Sequence, residues 1–172
     1  MINAFTLWMT GLSGAGKSTI ANELKLSLRN DGFETIVLDG DFLRNGLNRD
    51  LGFSREDRRE NVRRTAELAR LMNEEGLSVV AALISPYAEE RQMAKDIIGS
   101  QRFLEVYVAT SLAVCEKRDP KGLYRCARAG GISNFTGVNA PYEAPNTPDM
   151  TVNTENCSIV EVVSYIRQFC GH

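Results

Sequence analysis

The stretch TGLSGAGKSTIANEL, Thr10–Leu24, follows directly on the apolar run Ala4–Met9. Its first half is glycine and other small residues. Then come a lysine, two hydroxyls and a helical pattern with Ile20, Leu24 and Leu28 on one face. Gly11-x-x-x-x-Gly16-Lys17-Ser18 has the spacing of a phosphate-binding loop set between a strand and a helix. Without Cβ atoms the loop can curl so that successive backbone N–H groups point inward at phosphate oxygens. The helix that follows offers its unpaired N–H groups and the positive end of its dipole to the same anion. The loop residues Gly11, Ser13, Gly14, Ala15, Gly16, Lys17, Ser18 and Thr19 are therefore the expected nucleotide contacts. Lys17 is placed to reach the β- and γ-phosphates of ATP, and Ser18 to give Mg²⁺ a hydroxyl ligand.

Working outward, further strand-like runs fall at Thr35–Leu38, Ser78–Ile84, Phe103–Ala109 and, weakly, Met150–Val152. Helical patterns lie between them: Lys17–Leu28, about Arg55–Glu75 with Val62, Ala66, Ala69 and Met72 in register, Ala88–Ile98 and Ile159–Cys170. Ser54-Arg-Glu-Asp57 and Ser158-Ile-Val-Glu161 read as capping boxes. Strands alternating with helices give an α/β fold, a parallel sheet of about five strands covered on both faces. The 172 residues, 43% of them hydrophobic, suit one domain with a proper core. Arg118–Pro148 breaks the rhythm with most of the prolines and several glycines, and so long a connection is expected to be a lid.

The totals exclude several classes. A net charge of −2 argues against a general nucleic-acid or membrane-surface binder. No apolar run reaches the ~20 residues that span a bilayer. The start, Met1-Ile-Asn-Ala-Phe, lacks the pattern of a signal peptide, so a soluble cytoplasmic protein is expected. Cys115, Cys126, Cys157 and Cys170 form no C-x-x-C pair and are expected to be free thiols. The one histidine is His172, the last residue, which argues against a histidine base inside the fold. Asp119-Pro-Lys-Gly122 fits the D-x-x-G of GTPases, but it lies in the lid-like segment and no N-K-x-D motif accompanies it.

The second strand ends in Leu38-Asp39-Gly40-Asp41, followed by Phe42-Leu-Arg44-Asn-Gly46-Leu and Asp50-Leu-Gly-Phe53-Ser. Then comes Asp57-Arg58-Arg59-Glu60-Asn61-Val-Arg63-Arg64. From this point the chain closely resembles the adenylylsulfate kinase family. The likeness continues through Ile84-Ser85-Pro86-Tyr87, Cys115-Glu-Lys-Arg118-Asp-Pro-Lys121-Gly-Leu-Tyr124, Ala127-Arg128-Ala-Gly130, Phe135-Thr-Gly137 and Pro141-Tyr142-Glu143-Ala-Pro145. It covers nearly the whole chain, with the motifs in the family's order. The resemblance implies transfer of the γ-phosphoryl of MgATP to the 3′-hydroxyl of adenosine 5′-phosphosulfate, by a stand-alone kinase that forms a homodimer. Another small-molecule kinase on the same fold, and a nucleotide-gated binding module without catalysis, are the rival readings.

Asp39 and Asp41 lie just past a strand's C-terminal end beside the phosphate loop, where ligands collect in open α/β sheets. Phosphoryl transfer needs a group that orients or deprotonates the attacking hydroxyl, and with no internal histidine a carboxylate is the natural candidate. The resemblance makes Asp39 that residue, near the metal. Asp41 is expected near the substrate or as the cap of a short helix starting near Phe42. Arg58 and Asn61, three apart, share a helix face, and a guanidinium plus an amide suits an anion-bearing nucleotide. The resemblance assigns Arg44, Arg58 and Asn61 to the phosphosulfate substrate and has Phe53 and Phe135 sandwich its adenine. It places Arg128 against the adenine of ATP and has Lys121 help close the lid. Ser85 carries a phosphoenzyme role in the family, but direct in-line transfer makes a polar contact to substrate more economical. Two positions depart from the family pattern. Ser133 replaces a basic residue two before Phe135, and Asn139 replaces an acidic residue two after Gly137.

Overall fold

The computed structural model describes residues 4–170, so His172 and the start of the chain, Met1 to Asn3, lie outside the described residues. Five strands form one all-parallel sheet in the order β2-β3-β1-β4-β5. They are β1 (Thr6–Thr10), β2 (Thr35–Asp39), β3 (Ser78–Ala82), β4 (Phe103–Val108) and β5 (Met150–Val152). The first strand is central because every one of its side chains is acceptable to a core. Leu7 and Met9 enter one cluster with Ile20, Leu24 and Leu28 of α1 (Lys17–Asn30). Trp8, on the opposite face, enters the other cluster.

That second cluster is built on α3 (Arg55–Glu74) and α4 (Ala88–Ile98), which follow the short helix α2 (Gly40–Asn45). Its residues include Val62, Ala66 and Ala69 from α3 and Ala94 and Ile98 from α4, the i, i+4 stripe expected for a buried helix face. The first face is completed by α7 (Ile159–Phe169), whose Val162 and Ile166 pack beside α1. Of the two expected capping boxes, Ser158–Glu161 is complete. At Ser54 the hydroxyl accepts from the Asp57 amide, as a cap should, and also contacts the Asp57 carboxylate at 2.9 Å.

Three local departures from the sequence expectation matter for function. The third strand stops at Ala82, because Leu83–Pro86 peels away and Ser85 takes a left-handed backbone, φ 36°. A helix missed by periodicity, α5 (Leu112–Arg118), begins where the Ser111 side chain caps it. The expected lid is also not irregular throughout. It contains α6 (Leu123–Arg128), whose Tyr124 and Ala127 are buried in the core. Among the described residues no helix is long and apolar enough to cross a membrane. All four cysteines are free.

Candidate active site

The phosphate loop is shaped from below. A Cβ on Gly11 would lie 2.6 Å from the Val108 carbonyl oxygen, so the loop's first residue must be glycine to sit this close to β4. Gly16 caps α1 with φ 105° and no side-chain hydrogen bond. No side chain caps the helix, so its first N–H groups face the loop's hollow as donors for an anion. The loop is braced from behind by residues that sequence reasoning missed. The hydroxyls of Thr110 and Thr154 reach the Ala15 carbonyl at 3.0 and 2.9 Å. Arg118 donates to the Thr154 hydroxyl and carbonyl at 2.7 and 2.8 Å, and Tyr124 donates to the Ser13 carbonyl at 3.0 Å. One signal was available: each threonine stands two residues beyond a strand's C-terminal end, where this fold collects functional groups.

Lys17 is buried and donates to the carbonyls of Gly11 and Leu12 at 2.8 and 2.7 Å. Burial lowers its pKa to about 8, only partly offset by the field of Cys115, Asp39 and Asp41. Ser18 and Thr19 are exposed on the first turn of α1. The Ser18 hydroxyl donates to Asp39 Oδ2 at 2.5 Å, while Asp39 Oδ1 accepts from the amides of Asp41 and Phe42. The helix cap expected of Asp41 therefore belongs to Asp39, whose two oxygens do separate jobs. Asp41 instead pairs with Lys121, which brings the start of α6 to the mouth of the loop.

A second cluster adjoins the first through α2. Arg44 lies 4.5 Å and Arg58 5.6 Å from the ring centre of the exposed Phe53. Arg44 donates to the carbonyls of Leu51 and Gly52. Arg58 donates to the carbonyls of Phe53 and Asn134, at 3.1 and 2.7 Å, and reaches Thr136 at 3.4 Å. Burial lowers the pKa of both guanidiniums, and for Arg44 the charge of Arg58 adds to it. Neither pairs with a carboxylate among the described residues. Two partly buried cations that form no ion pair, around an exposed ring, are suited to an aromatic anion.

Asn61 is buried and accepts from Asn48, a fully buried partner whose own oxygen is left without a donor. Phe135 does not offer the open face that sandwiching an adenine with Phe53 calls for. It is 7% exposed and meets Tyr124 edge-on at 5.0 Å, whereas Phe53 is 58% exposed. Ser85 is buried just past the C-terminal end of β3, accepting from the Trp8 indole at 3.2 Å. Arg128 is held by Glu116 at 2.8 Å and makes no described hydrogen bond to the loop. Asn139 explains one departure in the 132–139 turn. Its amide accepts from the Phe135 N–H and donates to the Ile132 carbonyl, and a carboxylate could not donate.

Residues 3–153 match the family model described as adenylylsulphate kinase. The chain belongs to that family. The adenylyl-sulfate kinase of Pseudomonas entomophila (strain L48) is 53% identical over 164 residues, which is 95% of this chain and 79% of that protein. The adenylyl-sulfate kinase of Vibrio cholerae serotype O1 is 56% identical over 162 residues, covering 94% of this chain and 75% of that one. Among solved structures, the Mycobacterium tuberculosis APS kinase CysC in complex with AMPPNP and APS superposes with a TM-score of 0.96 at 43% identity, over 100% of both chains. The adenylylsulphate kinase fold thus extends over the described chain, with the loop at Gly11–Ser18 and the Arg44–Phe53–Arg58 cluster on one surface of it.

Proposed function

We propose that this chain transfers the γ-phosphoryl of ATP to the 3′-hydroxyl of adenosine 5′-phosphosulfate, giving ADP and 3′-phosphoadenosine 5′-phosphosulfate. The observation that carries this reading is the juxtaposition, through Asp39 and α2, of a phosphate loop with two guanidiniums that form no ion pair. One end suits a polyphosphate and the other suits a nucleotide bearing an anionic group.

Backbone N–H groups of Gly11–Thr19 and the Lys17 ammonium hold the triphosphate and stabilise the charge that develops on the transferring group. Ser18 Oγ and Asp39 Oδ2, a hydroxyl and a carboxylate hydrogen-bonded to each other beside the loop, would be the protein ligands of a magnesium ion. Among the described residues no trio of acidic, histidine or cysteine side chains could hold a metal alone, so phosphate and water oxygens must complete the shell. When bound, the ion would neutralise negative charge on the phosphates. Asp39 orients the 3′-hydroxyl and receives its proton. Transfer is in line and direct. Ser85, with its hydroxyl on the Trp8 indole, is kept as a polar contact near the substrate rather than a phosphate carrier.

Arg44 and Arg58 take the phosphosulfate, Phe53 stacks on the adenine, and Asn61 offers the amide donors that Asn48 leaves free. Phe135 backs this pocket from the turn that Arg58 ties down. Arg128 releases Glu116 to lie on the adenine of ATP, and Asp41 with Lys121 latches the 118–148 lid. The whole chain, 1–172, works as one kinase domain, as a homodimer in the cytoplasm. A coupled assay of ADP release tests the reading with a panel of adenosine 5′-phosphosulfate, AMP and gluconate. Strong preference for the sulfated nucleotide is expected. Equal use of AMP or gluconate would put another small-molecule kinase in its place, and no stimulation by any acceptor would leave a nucleotide-binding module.

A further inference from the structure

Glu90 is the one acidic residue of this fold with no exposed surface and no hydrogen-bond partner on either carboxylate oxygen among the described residues. It is the third residue of α4, and the start of that helix is fixed against the first turn of α3. Arg55 pairs with Glu89 at 2.6 Å and lies 4.7 Å over the Tyr87 ring. The charged groups that face Glu90 are Glu89 on its own helix and Arg55, Arg58 and Arg59 on α3. Arg55 is committed to Glu89, and Arg59 is exposed. Arg58 is half-buried and donates only to carbonyls and a hydroxyl. Two facing helices therefore hold a carboxyl without a cation and a cation without a carboxylate, and the latter belongs to the anion pocket.

We propose that Glu90 is a positioning residue for the second substrate, acting through Arg58. With its proton on, it leaves the Arg58 guanidinium to the substrate's anion; with its proton off, it draws that guanidinium inward and opposes the anion. The proposal rests on the functional reading above. Its ligand class is a nucleotide whose anionic group meets Arg58, and binding of that anion is accompanied by uptake of a proton at Glu90. The surroundings make the switch fall near neutrality. Burial, followed by the charge of Glu89, raises the Glu90 pKa from 4.5 to about 7, against the opposing pull of Arg55, Arg58 and Arg59. A fold that holds this proton more tightly than the unfolded chain loses stability as pH rises from about 4.5 through about 7.

The test is steady-state kinetics of the full chain from about pH 6 to about pH 9, a range that brackets the titration. Wild type, Glu90→Gln and Arg58→Ala are compared, with thermal melts of each. In wild type, KM for adenosine 5′-phosphosulfate is expected to rise about tenfold across the range, the change one pKa unit of coupling produces. kcat and KM for ATP should follow the same pH course in wild type and Glu90→Gln. In Glu90→Gln, KM for the sulfated nucleotide stays at the low-pH value throughout. In Arg58→Ala it is high at every pH. The melting temperature of Glu90→Gln should gain on wild type as pH rises. The proposal is overturned if Glu90→Gln keeps the wild-type pH dependence of KM. It is equally overturned if only its melting temperature changes, or if KM shifts by one factor at all pH values. Failure of wild type to use adenosine 5′-phosphosulfate at any pH would instead strike the functional reading itself.

Discussion

Asp39 carries two loads, and two substitutions separate them. Oδ1 caps α2 by accepting from the amides of Asp41 at 2.9 Å and Phe42 at 3.4 Å, and Oδ2 accepts from Ser18 at 2.5 Å. Asparagine caps helices about as well as aspartate, so Asp39→Asn can keep the cap through its carbonyl oxygen. It loses the negative charge and, on the proposed function, the acceptor for the substrate's proton and the metal ligand. Alanine loses both loads. Losing a cap costs about 1 kcal/mol, within a range of about 0.5–2. In a chain of this size that is a fall of roughly 2–4 °C in melting temperature. Losing a positioned base costs about 10²–10⁴ in kcat. Both variants should therefore lose kcat by a similar large factor in the ADP-release assay, while calorimetry shows only Asp39→Ala melting lower. Asp41→Asn, which removes an exposed ion pair with Lys121, should cost less than either in kcat. An Asp39→Asn variant that keeps kcat within a few-fold of wild type, or whose loss of activity merely tracks a loss of stability, would refute these two roles.

Two further outcomes follow from burial. The Lys17 pKa of about 8 is depressed by burial, so in the ATP-free protein the ammonium loses its proton as pH rises through about 8. kcat/KM for ATP should fall above that pH, and Lys17→Ala should lack most turnover at any pH; a profile flat to about pH 9.5 would show that Lys17 does not act as a cation. Phe135→Ala should destabilise the protein by about 3–5 kcal/mol, as core aromatic deletions do, whereas Phe53→Ala should stay within about 0.5 kcal/mol and raise KM for adenosine 5′-phosphosulfate. Equal melting temperatures for the two variants would contradict the burial difference.

The phosphate loop and the sheet could be read from sequence because each depends on local pattern. Gly11, Gly16 and Lys17 are bound by spacing, and Leu7, Trp8 and Met9 by a continuous apolar run that suits a strand buried on both faces. What escaped was set by contacts distant in sequence. Short α5 and α6 have too few turns for a 3.6-residue period to register, and α6 is held because Tyr124 reaches the Ser13 carbonyl across 111 positions. Phe135 sits in a glycine-containing segment that reads as exposed, yet Tyr124 buries it. The division of labour at Asp39 was also hidden. A sequence shows two carboxylates beside a helix start, but only the fold shows that the first one's oxygens point in different directions. Glu90 gave no sequence signal at all, lying in an ordinary charged run, Glu89-Glu90-Arg91.

The cations assigned to ligands all bond to the protein itself in this structure, and the bonds differ in how readily they exchange. Lys121 on Asp41 and Arg128 on Glu116 are exposed pairs, each worth at most about 1 kcal/mol, so a phosphate or an adenine displaces them at little cost. Lys17 is different, because its two carbonyl partners lie inside the loop and its charge is already disfavoured by burial. A triphosphate arriving there relieves that disfavoured charge, which a neutral ligand cannot do. Arg58 holds the turn at 134–136 against α3, so an anion that takes its guanidinium must also loosen or reposition that turn. Occupation of the second-substrate pocket and the placement of the segment that carries Phe135 are thereby one equilibrium. A substrate lacking the anionic group would leave Arg58 on its backbone acceptors and gain only the stack on Phe53. On the proposed function, selection would therefore act at Arg58, by charge, more than at the ring, by shape.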